Sequence, residues 1–210
     1  MTQSLRYKSI TSINGPLVVV NNVQGVKLNE LVEIEVGDET RVGQVVELQG
    51  NVAIIQVLQG TAGISIGQSY VRFTGDTLKI PVSEEVIGRT LNGLGRAIDG
   101  GPEVVGEKFD VNGAPINPVM RLPPKDFIQT GISVIDGLMS IIRGQKLPIF
   151  SGYGLPHNLI VSQIIRQAKL LRKQEYFAVV FSALGISNEE ADFFRVELER
   201  ANILDRTVFI

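Results

Sequence analysis

The sequence predicts a small β-barrel followed by an incomplete α/β domain with a parallel sheet. Short strand-like segments fill the beginning of the chain, glycines and prolines are concentrated in the middle, and strand-like and helix-like segments alternate after residue 127. These three patterns are typical of a barrel, a connector and a parallel α/β sheet, respectively. We therefore expect a barrel over residues 1–75, a connector over residues 76–126 and a partial α/β domain over residues 127–210.

Composition limits the class of protein. The chain has 210 residues, of which 44% are hydrophobic and 20% are charged, as in an ordinary soluble globular protein. Its net charge of -2 gives no indication of binding to nucleic acid or to an anionic membrane surface. No segment approaches the ~18 apolar residues of a membrane helix, and no secretory signal is visible, so we expect a cytoplasmic protein. With no cysteine and a single histidine, His157, neither thiolate chemistry nor a histidine-based metal site or catalytic triad is expected.

The strands of the predicted barrel are short and regularly spaced. Residues 31–36 alternate, with Val32, Ile34 and Val36 on one face and acidic side chains on the other. Glycine-containing turns separate the segments. Strands at this spacing favour a closed barrel, which leaves no exposed strand edge. The predicted strands are residues 7–13, 17–20, 31–36, 41–46 and 52–57.

The connector is distinguished by its prolines. Five of the nine prolines lie between Pro102 and Pro124, so this segment cannot form a long helix or a central strand. A flexible linker is one interpretation. An ordered connector is the interpretation we favour, because a free linker would not need apolar anchors. The expected anchors are Ile87, Leu91, Leu94, Ile98 and Val104.

Strands and helices alternate from residue 127 onward. Thr130 is expected to cap a helix over residues 131–141. A second helix is expected over residues 159–171, and a third begins at a capping box made by Ser187 and Glu190. The predicted apolar faces are Ile160, Ile164, Ala168 and Leu171 on the second helix, and Phe194, Leu198 and Ala201 on the third. The predicted strands are residues 147–150, 177–181 and 207–210, which amount to half a sheet, so the sequence is expected to stop inside a domain.

The loop between the strand at 147–150 and the following helix is the most informative feature. It occupies the position of a phosphate loop, whose pattern is Gly-x-x-x-x-Gly-Lys followed by Ser or Thr. On residues 151–158, the pattern places Ser151 at the first glycine, Pro156 at the second, His157 at the lysine and Asn158 at the hydroxyl residue. A glycine-rich turn of no special purpose is the alternative interpretation.

Each replacement in this loop removes a phosphate-binding group. Pro156 has no backbone N–H. His157 is shorter than lysine, and a helix N-terminus disfavours its cation. Asn158 offers an amide instead of the hydroxyl that binds Mg²⁺. The helix dipole and two glycine amides remain, so weak anion binding is still expected. The predicted nucleotide-adjacent segment is Ser151, Gly152, Tyr153, Gly154, Leu155, Pro156, His157 and Asn158, with no catalytic residue and no metal ligand among them.

Several motifs resemble the B subunits, or beta chains, of the V-type and archaeal-type rotary ATPases, in the ATPase alpha/beta chain family. They are Gln-Thr-Gly-Ile-Ser-Val-Ile-Asp-Gly at residues 129–137, Arg-Gly-Gln-Lys-Leu-Pro-Ile-Phe-Ser-Gly at 143–152 and Gly-Leu-Pro-His-Asn at 154–158. Residues 88–95 resemble the junction shared by subunits of the rotary ATPases. The resemblance covers nearly the whole chain. The Gly-Leu-Pro-His-Asn loop is the most discriminating motif, because catalytic subunits of the family keep Gly-Lys-Thr.

The resemblance implies a non-catalytic, regulatory and structural subunit. Such subunits alternate with catalytic A subunits in a hexameric ring, which works with central and peripheral stalk subunits. The complex couples ATP synthesis or hydrolysis to the transport of protons or sodium ions. The resemblance implies association with the membrane only through the complex, and no nucleic-acid partner. It implies no required cofactor, and weak binding of ATP or ADP at the interface with the catalytic subunit.

The resemblance also bears on the acidic residues after residue 184. Catalytic relatives carry a glutamate where our alignment places Gly185, and an arginine where it places Ile186. Without that carboxylate, no group orients an attacking water. Glu189 and Glu190 are nearby acids, which we interpret as first-turn and capping-box carboxylates of the third helix.

Two alternatives come from other functional classes. A catalytic phosphate-loop ATPase of the export or secretion type would be favoured by an intact Gly-Lys-Thr, which the segment Pro156-His157-Asn158 replaces. A hexameric helicase would be expected to carry basic loops and stacking aromatic residues, and neither is evident in the sequence.

Overall fold

The computed structural model describes residues 6–170 and 178–210. The chain divides into two compact units. The first comprises residues up to Ile80 together with Phe109–Gly113, and the second comprises Pro81–Lys108 together with Ala114–Ile210. Each unit has a hydrophobic core of its own. Within the described residues, no helix combines the length and the apolar character needed to cross a membrane.

A seven-stranded antiparallel sheet forms most of the first unit. Its strands are β1 (Arg6–Tyr7), β2 (Ile10–Asn14), β3 (Leu17–Val20), β4 (Glu30–Val36), β5 (Glu39–Gln49), β6 (Val52–Val57) and β7 (Val71–Thr77). Their spatial order is β1-β7-β4-β5-β6-β3-β2. The two edge strands, β1 and β2, are consecutive in the chain and are separated by Lys8 and Ser9 alone. One short stretch of chain therefore forms both edges of the sheet, which curls into the small barrel that the sequence predicts.

The interior of the barrel follows from the alternation of its strands. On β4, Val32 and Ile34 are fully buried, whereas Glu33 pairs with Arg72 on the outside. The sheet is tightly packed at Gly43, where an added Cβ would lie 2.8 Å from Ile55 Cγ2. The core consists of Ile10, Val18, Val20, Val23, Val32, Ile34, Val45, Ala53, Ile55, Val57, Ile64, Val71 and Phe73.

The remaining elements include two α-helices and several short strands. Strands β8 (Lys79–Val82) and β9 (Glu107–Asp110) pair in a two-stranded sheet. They are followed by β10 (Ile128–Gln129), α1 (His157–Gln167), β11 (Lys169–Leu170), β12 (Val179–Phe181), α2 (Asn188–Arg200) and β13 (Thr207–Phe209). Strand β10 pairs with β11 in antiparallel fashion, and β12 pairs with β13 in parallel. The parallel pair, with α2 between its strands in sequence, confirms an α/β arrangement in this part of the chain.

The connector is ordered where it lies beside β13. The amide of Phe209 donates to the Arg89 carbonyl at 2.9 Å, and the amide of Leu91 donates to the Phe209 carbonyl at 2.8 Å. Leu91 and Val104 are buried in one small core cluster with Val208. This part of the predicted connector is therefore ordered, and Leu91 and Val104 are two of its expected anchors.

The prediction that Ile87 and Ile98 anchor the connector is wrong. Ile87 is 42% exposed and Ile98 is 61% exposed. The cluster is completed instead by Val86, Ala97 and Ile210, which pack against its buried members. The backbone pairing with β13 decides which side chains face inward, and apolar content alone could not reveal that pairing.

The helix predicted over residues 131–141 is reduced to a π-helical turn, Ile135–Met139. Thr130 is fully buried, and its hydroxyl accepts the Ile132 amide at 3.2 Å while it donates to Asp136 Oδ1 at 2.8 Å. Asp136 also accepts the backbone amides of Thr130 and Gly131. These contacts stabilise a compact turn instead of a regular α-helix.

The strand predicted over residues 147–150 does not form. Pro148 has no backbone N–H to donate to a neighbouring strand. No strand in the described residues pairs with this segment, and Phe150 is 92% exposed. The parallel sheet is thus smaller than the sequence predicts.

Helix α1 begins and ends earlier than predicted. It starts at His157 and ends at Gln167, with Ala168 as the C-terminal cap, because the next two residues pair as β11 with β10. Its predicted face is displaced by one residue, since Val161 and Ile165 pack against the core cluster of α2 and Ile160 is 41% exposed. Leu171, the last residue of the predicted helix, lies outside the described residues.

The elements around α2 agree closely with the sequence. Ser187 and Glu190 form the predicted capping box, and Phe194 and Leu198 are buried on the predicted face. Strand β12 confirms the predicted strand over residues 177–181, of which Phe177 lies outside the described residues. This strand is only partly buried, because Val180 is 64% exposed.

Candidate functional site

The candidate site is the loop of residues 151–158, which leads into α1. Pro156 is the N-terminal cap of the helix and makes no side-chain capping hydrogen bond. Gly154 has a φ of 78°, which is favourable for glycine and strained for other residues. Tyr153 is fully exposed and Leu155 is 57% exposed. The loop is therefore a tight, largely exposed turn placed directly before a helix.

Hydrogen bonds inside the loop engage two of the backbone amides that could otherwise face a phosphate. The amide of Leu155 donates to the Gly152 carbonyl at 3.3 Å, and the amide of His157 donates to the Leu155 carbonyl at 2.9 Å. Pro156, between them, has no amide hydrogen. Fewer backbone donors are therefore available to an anion here than in an intact phosphate loop.

The imidazole of His157 is held within the same turn. Its Nδ1 lies 3.0 Å from Ser151 Oγ and 3.0 Å from the Leu155 carbonyl oxygen. An unprotonated Nδ1 accepts the Ser151 hydroxyl, whereas a protonated Nδ1 donates to the carbonyl. In both forms the ring binds its own loop, and Ser151 and His157, which the sequence pattern places at opposite ends of the motif, are in direct contact.

Asn158 connects the loop to α2. Its side-chain amide donates to Glu190 Oε1 at 3.4 Å. The other oxygen of Glu190 accepts the Ser187 amide at 3.0 Å, and Ser187 Oγ accepts the Glu190 amide at 3.2 Å. The Ser187 amide, followed by the Asn158 side chain, holds the pKa of the Glu190 carboxyl below its ordinary value. Glu190 is therefore an ionised capping residue, as the sequence predicts.

The loop after β12 carries no carboxylate at Gly185. This glycine has a φ of 69°, and an added Cβ would meet no atom within 4 Å. The two acids that follow, Glu189 and Glu190, lie in the first turn of α2. In the described residues, no group of three or more His, Asp or Glu side chains is placed to hold a metal ion.

The structure thus brings together two parts of the predicted site. The first turn of α1 and the capping box of α2 meet through Asn158 and Glu190. Sequence reasoning missed this contact and that of Ser151 with His157. The first contact joins residues 32 positions apart, and no sequence pattern indicates it. The contact of Ser151 with His157 joins residues six positions apart across a turn rich in glycine. This short separation is the one feature of the sequence that could have indicated it.

Two models of one protein family match the chain in the order of its two units. The β-barrel domain of the ATP synthase alpha/beta family matches residues 10–75. The nucleotide-binding domain of the same family matches residues 131–210. Together they match more than half of the chain, and the curled barrel and the partial α/β arrangement fit them. The chain belongs to the ATP synthase alpha/beta family.

Within this family, the chain is similar to an archaeal protein. It is 55% identical over 206 residues to the B subunit of the A-type ATP synthase of Methanopyrus kandleri. The alignment covers 97% of this chain and 21% of that relative. The chain therefore spans about a fifth of the length of the curated relative it matches.

Proposed function

We propose that this chain is part of the non-catalytic B subunit of a rotary ATP synthase or ATPase of the archaeal or V type. The observation that carries the proposal is the loop segment Pro156-His157-Asn158, where catalytic relatives have Gly-Lys-Thr. His157 contacts Ser151 and Asn158 contacts Glu190, so both side chains make structural contacts instead of pointing freely into a phosphate site. The similarity to an archaeal B subunit supports the same proposal.

In this proposal, the subunit has a regulatory and structural role. It alternates with catalytic A subunits in a hexameric ring and works with central and peripheral stalk subunits. The complex couples ATP synthesis or hydrolysis to the transport of protons or sodium ions, and the subunit is associated with the membrane through the complex. ATP or ADP binds weakly at the interface with the catalytic subunit, and Gly185 leaves this side without a carboxylate to orient water.

An assay of ATP hydrolysis and binding tests this proposal. We expect the purified chain to show no turnover above background, because the lysine, the Mg²⁺-binding hydroxyl and the water-orienting glutamate are all replaced. The triple change Pro156→Gly, His157→Lys and Asn158→Thr restores one amide, one cation and one hydroxyl. Since a charge-assisted contact contributes roughly 1.5–3 kcal/mol, we expect Mg·ATP to bind several-fold more tightly, still without hydrolysis.

The single change His157→Gln is the matched control, because it adds no cation, and its Mg·ATP affinity should stay near that of the parent. Turnover that persists after repurification and disappears on loop mutation would contradict a non-catalytic role. An unchanged affinity in a correctly folded triple variant would contradict the interpretation of residues 151–158 as an altered phosphate loop.

A further inference from the structure

A groove in the second unit lies apart from residues 151–158. Residues 121–126 form one wall and Arg143 and Gly144 form the other, and together they enclose about 850 Å³. Backbone pairing holds the two walls together, since the amide of Arg143 donates to the Asp126 carbonyl at 2.8 Å and that of Ile128 to the Ile141 carbonyl at 2.8 Å. Backbone hydrogen bonding therefore joins the two walls at Asp126 and Arg143.

The lining of the groove is predominantly cationic. Arg121, Lys125 and Arg143 contribute to it, with Asp126 as the one acid. Among the described residues, no carboxylate pairs with Arg121 or Lys125. Many other basic side chains of this chain do have such a partner, as when Arg89 Nε lies 2.6 Å from Asp99 Oδ2. The two unpaired cations give the groove a positive potential that favours an acidic ligand.

Exposed apolar side chains adjoin these cations. Val119 is 90% exposed, Met120 is 75% exposed and Leu122 is 89% exposed. The first two lie in an ordered 3₁₀ turn, Pro118–Met120, which Asn117 caps by accepting the Val119 amide at 3.1 Å. Large apolar side chains clustered on a polar surface mark a site of interaction.

We propose that this basic groove, lined by residues 121–126 with Arg143 and Gly144, and the adjoining Val119 and Met120 dock a partner polypeptide that presents acidic residues beside apolar ones. The exposure of the lining favours a polypeptide over a small anion, because small-molecule sites bury most of their ligand and only Asp126 is even half-buried here. The concave shape favours a protruding segment over a flat bilayer. The groove contains none of residues 151–158, so docking can be tested separately from nucleotide binding.

Fluorescence anisotropy with the complete chain tests the proposal. The probe is a labelled synthetic peptide in which glutamate and leucine alternate, and a peptide with glutamine in place of glutamate is its control. We expect saturable binding of the acidic peptide that weakens with added salt. The double change Arg121→Gln and Lys125→Gln should weaken it about five-fold. The matched control, Lys27→Gln with Lys108→Gln, removes two exposed lysines outside the groove and should leave the affinity unchanged.

A second variant tests the exposed apolar side chains that adjoin the groove. Val119→Ser with Met120→Ser should also weaken peptide binding, and an unchanged circular dichroism spectrum and unfolding midpoint would establish that both groove variants are folded. Equal binding by the parent and the charge variant would overturn the proposal. It would also be overturned if phosphatidylglycerol vesicles or inorganic phosphate bound in a manner that required Arg121 and Lys125 while the acidic peptide did not bind.

Discussion

Asp99 accepts four hydrogen bonds, which hold the connector in its folded shape. Arg89 contacts it through Nε at 2.6 Å and Nη2 at 2.8 Å, and the amides of Thr90 and Gly101 each donate to it at 3.0 Å. The paired Arg89 guanidinium, followed by the two amides, holds the pKa of the Asp99 carboxyl well below its ordinary value. A bidentate pair that also orders two backbone amides fixes geometry better than an ordinary surface ion pair.

Acid should therefore weaken the connector through Asp99. The pKa of this carboxyl is lower in the folded chain than in the unfolded chain. Its stabilising contribution is therefore complete above about pH 3.8, the ordinary pKa of the carboxyl, and is lost progressively as the pH falls from there through the lower pKa of the folded chain. We expect Asp99→Asn to lower the free energy of unfolding at neutral pH and to make little difference in strong acid. Urea unfolding at neutral pH and in strong acid, at or below about pH 2, measures this change.

Asp192→Asn is the control for Asp99→Asn. Asp192 pairs with Arg195 at 3.4 Å, but its side chain is 71% exposed, so its removal should have little effect at either pH. An Asp99→Asn deficit that stays constant between the two pH values would show that the carboxylate charge is not what stabilises the connector.

At the scale of single residues, the sequence predicted chemical losses better than new contacts. The absence of an amide at Pro156 follows from its identity alone, and the capping role of Glu190 follows from its spacing to Ser187. The contact of Asn158 with Glu190 could not be predicted, because it depends on how α1 packs against α2. A residue's identity limits what it can donate, whereas tertiary packing decides where the donor points.

Helix α2 is an element whose start is determined by polar side chains. Ser187 and Glu190 cap it reciprocally, and we expect Ser187→Ala to lower the free energy of unfolding by about 1 kcal/mol. Urea unfolding followed by the helical circular dichroism signal measures this loss. Ser182→Ala is the matched control, because Ser182 is exposed and its hydroxyl makes no hydrogen bond within the described residues. If the two changes have the same effect, the capping box does not stabilise α2.

Other elements show why local patterns were insufficient. The structure confirms β4, which the alternation of apolar and acidic residues predicted. This pattern is local, because the side chains of a strand alternate between its two faces whatever its partners are. Residues 147–150 are as apolar as a strand, but a strand also needs partners for its backbone, and their absence leaves Phe150 exposed. The face of α1 was displaced for a related reason, since contact with α2 determines which side of the helix is buried.

At the scale of the whole molecule, the barrel was the more predictable part. Half of its strand pairings join strands that are adjacent in sequence, as β4 does with β5 and β5 with β6. The second unit depends on distant pairings, such as that of residues 88–91 with β13, which no local signal reveals. The predicted boundaries at residues 75 and 126 stay predictions. The division of the chain into compact units follows a different criterion, and it places most of residues 76–126 in the second unit.

Separate cores predict separate responses to core mutations. Ile34 is fully buried in the barrel core and Leu198 is 1% exposed in the core around α2. Replacing either side chain by alanine leaves a cavity that costs about 3 kcal/mol. We expect Ile34→Ala to speed amide hydrogen exchange in β4 and β5 but not in α2, and Leu198→Ala to have the converse effect, because local stability depends on the core in which an element is buried. The two variants serve as controls for each other in one mass-spectrometric exchange experiment. Faster exchange throughout the chain in both variants would mean that the two cores unfold as a single cooperative unit.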